Sequence, residues 1–364
     1  MKIFTLISKT DATQIAVFDD LDEIVRETVG HSLADLHALH TPAAQGQYRF
    51  NSVLETLDIM DYPLRDVAVV ITQIPSLALP PGVYFSDRKL LGHLSDSVME
   101  ENHFRAGVFA VHYLSEYIND KYGAESIPLV MEPALTNEIT QENSISGLRG
   151  LARTPRYNAL SQRVAVAFFA WNECRKHAND VRTIVAHLGK EISVGAFDMG
   201  RIIDSNCPQD GEGPFSPTTS GTLPIDALID LCYSGTYDMD EMIAMISQKS
   251  GLSAYLKDAS LERVSEEYRA GNKRVVFLVK AMAFKVAREI AARAAALEGK
   301  AQAVIITGYW GTFPEFVEEI ASRVSWIAPV KNYVTEGELW VLARTAIETY
   351  IGHIKILLYG SDRK

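Results

Sequence analysis

The chain of 364 residues is 47% hydrophobic and 22% charged, and its 35 Lys and Arg against 46 Asp and Glu leave a net charge of −11 with histidines neutral. At roughly 150 residues per domain this is enough for about two domains with sizeable cores, which excludes a mostly disordered chain. The acidic balance, with no basic run longer than two residues, excludes the electrostatic footprint of a nucleic-acid binder. The three cysteines, Cys174, Cys207 and Cys232, have no paired spacing, which excludes a disulfide framework or a cysteine zinc site and fits a reducing compartment.

In chain order, the β-branched runs at 3–7 and 13–18 predict two strands separated by the polar turn Ser8-Lys9-Thr10-Asp11, and a third extended piece follows up to Val29. The opening apolar run is too short for a signal peptide. His31, His37 and His40 have no carboxylate or cysteine at ligand spacing, so they read as a polar helix face rather than a metal cluster. Strands are predicted at 67–72 and 127–131, with an amphipathic helix over 98–120 between them. Thr154-Pro155 combines a capping residue with proline at the first helical position; it predicts a helix to about His177 and a domain junction. The longest apolar run, 164–171, is far below the roughly 20 residues of a membrane span, so a cytoplasmic protein without membrane contact is expected.

Further strands are predicted at 183–187, 192–197 and 303–307. The loop 207–217 is dense in Gly and Pro, and a long helix over 273–297 places Val275, Val279, Met282, Val286 and Ile290 on one face. The class is α/β. The strand-turn-strand pattern of 2–29 recurs at 182–204, either because two domains share one supersecondary unit or because two meanders are alike by chance.

A series of ordered motifs carries a resemblance. They are I-V-A-H-L-G at 184–189, I-S-V-G-A at 192–196, G-R-I-I-D at 200–204, D-G-E-G-P-F-S-P at 210–217, S-G-T-L-P at 220–224, L-C-Y-S-G at 231–235, G-L-S-A-Y-L at 251–256, I-I-T-G at 305–308 and V-S-W-I-A-P-V at 324–330. P-P-G-V-Y at 80–84 and fainter matches at 145–148 and 158–162 extend it over nearly the whole chain. In these the sequence resembles the acetate and butyrate kinase family, most closely its butyrate kinase members. The resemblance implies two duplicated actin-like (ribonuclease H-like) lobes with a central cleft, residues 1–154 plus 336–364 forming one and 155–335 the other. It also implies a homodimer formed through the second lobe, and transfer of the γ-phosphoryl of ATP, with Mg²⁺, to a short-chain carboxylate.

Phosphoryl transfer relies on positioned cations, metal ligands and backbone amides that approach phosphate. By the resemblance, the catalytic candidates are Glu132, in place of an aspartate, and His187. The candidates for nucleotide contact are Gly189, Asp210, Glu212, Gly213 and Gly308. Other family positions are replaced. The Asn, Gly and Lys of the first phosphate turn are Ile7, Lys9 and Gln14; the two charge-neutralising arginines are Thr72 and Thr219. Family His and Asn positions hold Asn102 and Arg105, the second phosphate turn carries Lys190 and Glu191, and a glycine of the adenosine region is Tyr309, with Trp310 beside it to fill the pocket.

Two readings follow: a kinase-derived scaffold or pseudoenzyme that binds a protein or small metabolite and has little or no kinase activity, and a divergent but active short-chain carboxylate kinase. The several independent losses favour the first. For His187 a strand-end structural role, and for Asp210, Glu212 and Gly213 an architectural one, compete with chemistry. Trp171, Trp310, Trp326 and Trp340 read as core or interface.

Overall fold

The computed structural model describes residues 1–74, 82–96, 102–132, 139–153, 158–333, 338–352 and 354–360, without the side chains of Asp96, Asn102 and Glu132. The chain divides into two units, Met1–Leu135 with Glu336–Lys364, and Thr136–Thr335.

The first unit is built on a mixed sheet of β1 (Lys2–Ser8), β2 (Ala12–Asp19), β3 (Asp22–Gly30), β4 (Val67–Gln73), β5 (Gly82–Phe85), β6 (Ile127–Glu132) and the short β12 (Ile356–Leu357), in the order β12-β5-β6-β4-β1-β2-β3. Residues 3–8 of β1 are all buried, the mark of a strand covered on both faces. On one side Phe4, Leu6, Ile15 and Val17 pack against Val53 and Leu57 of the helix Pro42–Ile59 and Ala110, Val111, Leu114 and Ile118 of the helix Asn102–Tyr122. These helices meet at Gly46, where an added Cβ would lie 2.4 Å from Phe109 Cβ. The C-terminal helix Glu338–Tyr350 returns to this unit and packs on β1, β2 and β4. The edge strand β3 carries Asp22, Glu23, Arg26 and Glu27, charges that discourage pairing with another chain.

The second unit repeats the plan with β7 (Arg182–Leu188), β8 (Ile192–Asp198), β9 (Arg201–Ser205), β10 (Ala303–Thr307) and β11 (Val330–Asn332), in the order β11-β10-β7-β8-β9. In each unit an antiparallel meander is extended by two parallel strands: β4 on β1 and β6 on β4 in one, β10 on β7 and β11 on β10 in the other. The irregularities coincide as well. The register of β2 on β3 shifts between Val17 and Phe18, and that of β8 on β9 between Ala196 and Phe197. Two meanders with one topology and one shared bulge are a duplication, so the recurring sequence pattern is not chance. The helices Lys273–Ala296 and Pro314–Val324 cover one side of this sheet, and the helix Ala159–Phe169 packs with Val185, Phe197 and Ile305 on other side chains of the same strands.

All seven expected strands are present. The unit division falls earlier than residue 154 because residues 140–153 bond to the second sheet: Thr140 and Asn143 donate to the Ile203 carbonyl, at 3.2 and 2.9 Å, and Arg153 donates to Ser205 O at 3.2 Å. The helix expected from 155 begins in the description at Ala159; residues 154–157, the capping pair included, lie outside the described residues. It gives way to a π turn over Ala170–Cys174 and stops at Arg175, whose φ is +54°. His31 departs from the polar helix face expected of it. It precedes the helix Leu33–Ala38 and is buried, while His37 and His40 are exposed. Trp171 and Trp326 are exposed, and Trp310 is core.

Candidate functional site

In the first unit, the turn between β1 and β2 is shaped from beneath by Arg49, a fully buried arginine on the helix Pro42–Ile59. Its Nη2 donates to the carbonyls of Lys9 (2.8 Å) and Thr10 (3.1 Å), and its Nη1 to Ala12 O (2.8 Å) and Thr13 Oγ1 (3.0 Å). The remaining turn carbonyl, of Asp11, accepts from His31 N at 2.7 Å. Because each trans peptide is planar, carbonyls drawn towards Arg49 leave the N–H groups of Thr10 and Asp11 pointing away from it.

Thr13 Oγ1 accepts from Arg49 and also hydrogen-bonds His31 Nε2, 2.7 Å away, with the imidazole tautomer deciding which of the two donates. Burial, with the Arg49 charge adding to it, holds the His31 pKa down to about 4, and burial with the charges of Arg49 and Lys9 does the same for His103, also to about 4. Arg49 is itself lowered by burial to about 10 and stays charged at neutral pH.

The helix Asn102–Tyr122 meets this turn at Gly107: a Cβ there would lie 3.0 Å from Ser8 Cβ and 3.5 Å from Thr72 Oγ1. Ser8, Gly107 and Thr72, the last a position singled out by the resemblance, thus converge. The cations near them are already engaged. Lys9 Nζ bonds Glu338 at 3.3 Å, and both terminal nitrogens of Arg49 are taken by the turn. Ser8 Oγ is buried with no hydrogen-bond partner among the described residues, and the turn's carboxylate, Asp11, is exposed at its tip. Among the described residues the turn offers one orphan hydroxyl and no buried carboxylate, a poor fit to Mg²⁺, which is held through one or two carboxylates together with substrate phosphates. Glu132 closes β6, paired in register with Gly82, and its side chain lies outside the described residues.

In the second unit, His187 is half-buried near the end of β7, opposite Ser193 and Thr307. The turn that follows is tight. Gly189 N donates to Glu191 O at 3.1 Å, and a Cβ on Gly189 would meet His187 Nε2 at 2.7 Å. Lys190 O accepts from Ser216 Oγ (2.6 Å) and Thr218 Oγ1 (3.3 Å), and Thr219 Oγ1 donates to Ser216 Oγ at 2.7 Å. Thr219 is therefore a buried part of a hydroxyl clasp. Gly308 has φ +90° and lies so close to β7 that a Cβ would be 2.7 Å from Leu188 O, which leaves glycine as the residue for that site.

Lys190, Thr218, Ser260, Glu262, Tyr309 and Trp310 line an open cavity of about 440 Å³ in this unit. Trp310 does not fill it, contrary to expectation. The ring is anchored in the core, edge to face with Phe316 at 5.9 Å, and only borders the space. Tyr309 donates to Glu262, whose pKa this bond lowers, so the cavity wall holds a carboxylate. The cavity suits a flat apolar group better than a polyanion.

The loop after β9 is held by its own acidic residue. Glu212 accepts from Cys207 N (2.9 Å) and pairs with Arg153 (2.6 Å), beside the Arg293–Asp204 pair (2.6 Å) and Glu289, which burial pushes up in pKa. Gly213, with φ +91°, would place a Cβ 2.5 Å from Asn206 Nδ2. Asp210 is exposed in the short 3₁₀ turn Pro208–Asp210. Arg49, Arg153 and Arg293 carry both substructures and were not singled out in the sequence. For Arg49 a signal exists, because it lies on the buried stripe of its helix with Gly46, Val53 and Leu57.

Two units that each extend a three-stranded meander by parallel strands define the actin-like fold of the sugar and carboxylate kinases. Among solved structures, acetate kinase from Porphyromonas gingivalis superposes with a TM-score of 0.74 at 14% identity, covering 95% of this chain and 99% of that one. Acetate kinase from Entamoeba histolytica gives 0.68 at 12%, covering 90% and 87%. In sequence, butyrate kinase 2 and butyrate kinase 1 of Clostridium acetobutylicum are 31% and 30% identical over 352 and 350 residues, covering 96% of this chain and 97% and 96% of theirs. The acetokinase family pattern matches residues 163–326. The chain belongs to the acetokinase family.

Proposed function

We propose that the protein keeps the architecture of a short-chain carboxylate kinase but transfers the γ-phosphoryl of ATP to butyrate, or to a branched short-chain acid, at little or no rate, and acts as a binding scaffold or pseudoenzyme. The observation that carries this is the state of Thr72 and Thr219. Each is 1% exposed, Thr72 against Gly107 and Thr219 inside the Ser216 clasp, so the places where the resemblance sets arginines hold neither a cation nor room for one. Loss of one such arginine typically costs 10³ to 10⁵ in rate. The neutral His103 and the engaged Lys9 and Arg49 offer no replacement charge. Glu212 and Gly213 serve the loop's own closure, which supports the architectural reading of that motif.

The test is hydroxamate trapping of acyl phosphate from purified protein with ATP, Mg²⁺ and butyrate or isobutyrate. A signal no larger than the protein-free control is expected, and a robust one overturns the proposal. The second reading, a divergent active kinase with Glu132 and His187 as surviving groups, is favoured by the open cavity beside Trp310. Under it, MgATP would raise the melting temperature.

A cytoplasmic location is part of the proposal. Among the described residues no helix is long and apolar enough to cross a membrane. A homodimer through the second unit completes the proposal.

A further inference from the structure

In the first unit, the turn between β1 and β2 stands where the resemblance places phosphate and its metal, and it carries a cation of its own. Lys9 holds a position that the family gives to glycine. Its ammonium lies 3.3 Å from Glu338, the first residue of the helix Glu338–Tyr350 and 329 positions further along the chain. Both ends of this pair are fixed. Lys9 O is drawn to Arg49 and Lys9 N donates to Ala12 O, each at 2.8 Å, while Leu339 and Leu342 bury the helix on the sheet. Two rigid elements, and not two wandering side chains, therefore bring the charges together.

The charge of Lys9 reaches beyond Glu338. Burial first, then the charges of Arg49 and Lys9, hold His103 at a pKa of about 4, which sets the ammonium within electrostatic reach of the helix Asn102–Tyr122. Around the turn the charges balance: Lys9 and Arg49 stand against Glu338 and Asp11, beside the neutral rings of His31 and His103. A divalent ion entering here meets two fixed positive charges, and the carboxylate beside Lys9 is already neutralised. Among the described residues no three His, Cys, Asp or Glu side chains are grouped to hold a metal ion.

We infer that the Lys9 ammonium, held by Glu338, is a built-in monovalent cation that takes the place of the divalent ion at this turn, so that the first unit excludes Mg²⁺ for as long as Lys9 is present. The inference deepens the reading above by naming what keeps the metal out. An ammonium supplies one charge and three donors, which suffices to tie a carboxylate to the turn. It lacks the open octahedral positions through which Mg²⁺ gathers phosphate oxygens. The exchange of glycine for lysine is then a gain of a fixed charge as well as a loss of space.

The experiment is titration of the full chain with Mn²⁺ in place of Mg²⁺, free Mn²⁺ being counted by electron spin resonance and bound Mn²⁺ located by the broadening of histidine ring signals. The unaltered protein should have no site tighter than about 1 mM that broadens the His103 ring. Lys9→Ala should bind Mn²⁺ at least about tenfold more tightly than the unaltered protein, with His103 broadened, because one fixed positive charge has gone. Lys9→Arg should match the unaltered protein, and adding Glu338→Gln to Lys9→Ala should abolish the gain. The pair is partly exposed, its side chains at 43% and 29%, so the variants should fold as the unaltered protein does. A tighter site in the unaltered protein that broadens His103 overturns the inference, as does a Lys9→Ala protein that gains no affinity. A gain that survives Glu338→Gln overturns the role of the pair. Hydroxamate trapping decides the reading above separately: acyl phosphate formed by a protein that excludes Mn²⁺ here overturns that reading and leaves this inference standing.

Discussion

Arg49 meets four acceptors with two nitrogens, all in one turn some forty residues earlier in the chain. Arg49→Ala would take this donor from the carbonyls of Lys9 and Thr10 and one bond each from Ala12 O, which keeps Lys9 N, and Thr13 Oγ1, which keeps His31, so it should destabilise the protein by about 3 kcal/mol. Arg49→Lys should recover less than half of this, because an ammonium cannot span the same four groups. Urea unfolding measures both. At Thr72 and Thr219 the space decides the outcome: Thr72→Arg and Thr219→Arg should each stay inactive in hydroxamate trapping and lose about 1–3 kcal/mol of stability through overpacking. A gain of activity in either would show that the sites are open.

His31 and His103 make stability depend on pH. Their folded pKa of about 4 lies below the ordinary 6.5, so from pH 6.5 downwards the unfolded chain takes up protons that the folded chain does not. Stability should therefore fall as pH drops from 6.5 to about 4, by at most about 1.4 kcal/mol per pH unit for each ring, and be level above pH 7.5. His31→Gln should flatten that slope in urea midpoints.

Between elements, the loop after β9 depends on the Arg153–Glu212 pair and on the Glu212 bond to Cys207 N. Glu212→Ala should free residues 207–221, read as faster hydrogen exchange there with β7 and β8 unchanged, for a loss of about 1–2 kcal/mol that discounts the partial exposure of the pair. Such clasps explain what was legible in the sequence. The strands at 3–7, 183–187 and 303–307 were visible because their β-branched runs are continuous, as strands buried on both faces require. The short β5, β11 and β12 were not, since two to four residues carry no period. Arg49 as a brace, and Thr219 as part of a hydroxyl clasp, are set by backbone carbonyls and hydroxyls brought close only by folding, and their neighbours in sequence do not encode that. His31 read as part of a polar helix face with His37 and His40, whereas its partners are Thr13 and Tyr48, brought to it only by folding.

Across the whole molecule, the first unit is made from both ends of the chain. Leu339, Val341, Leu342, Ala343 and Ala346 of the helix Glu338–Tyr350 are buried on β1, β2 and β4. Truncation after residue 335 would uncover that strand surface while leaving every strand of the second unit in place. The truncated protein should keep slow hydrogen exchange in β7, β8 and β10 and lose it in β1, β2 and β4; equal protection in both sheets would show that the C-terminal helix is dispensable.

The same arrangement sets an order of assembly on the ribosome. The two hundred residues of Thr136–Thr335 are made between the two halves of the first unit. At about 5–20 residues per second, that unit alone takes roughly 10–40 s to make, and β1 and β4 wait at least that long for the helix that covers them. The middle of the chain can thus mature before its beginning, and through that interval the nascent N-terminal sheet is the part most in need of a chaperone.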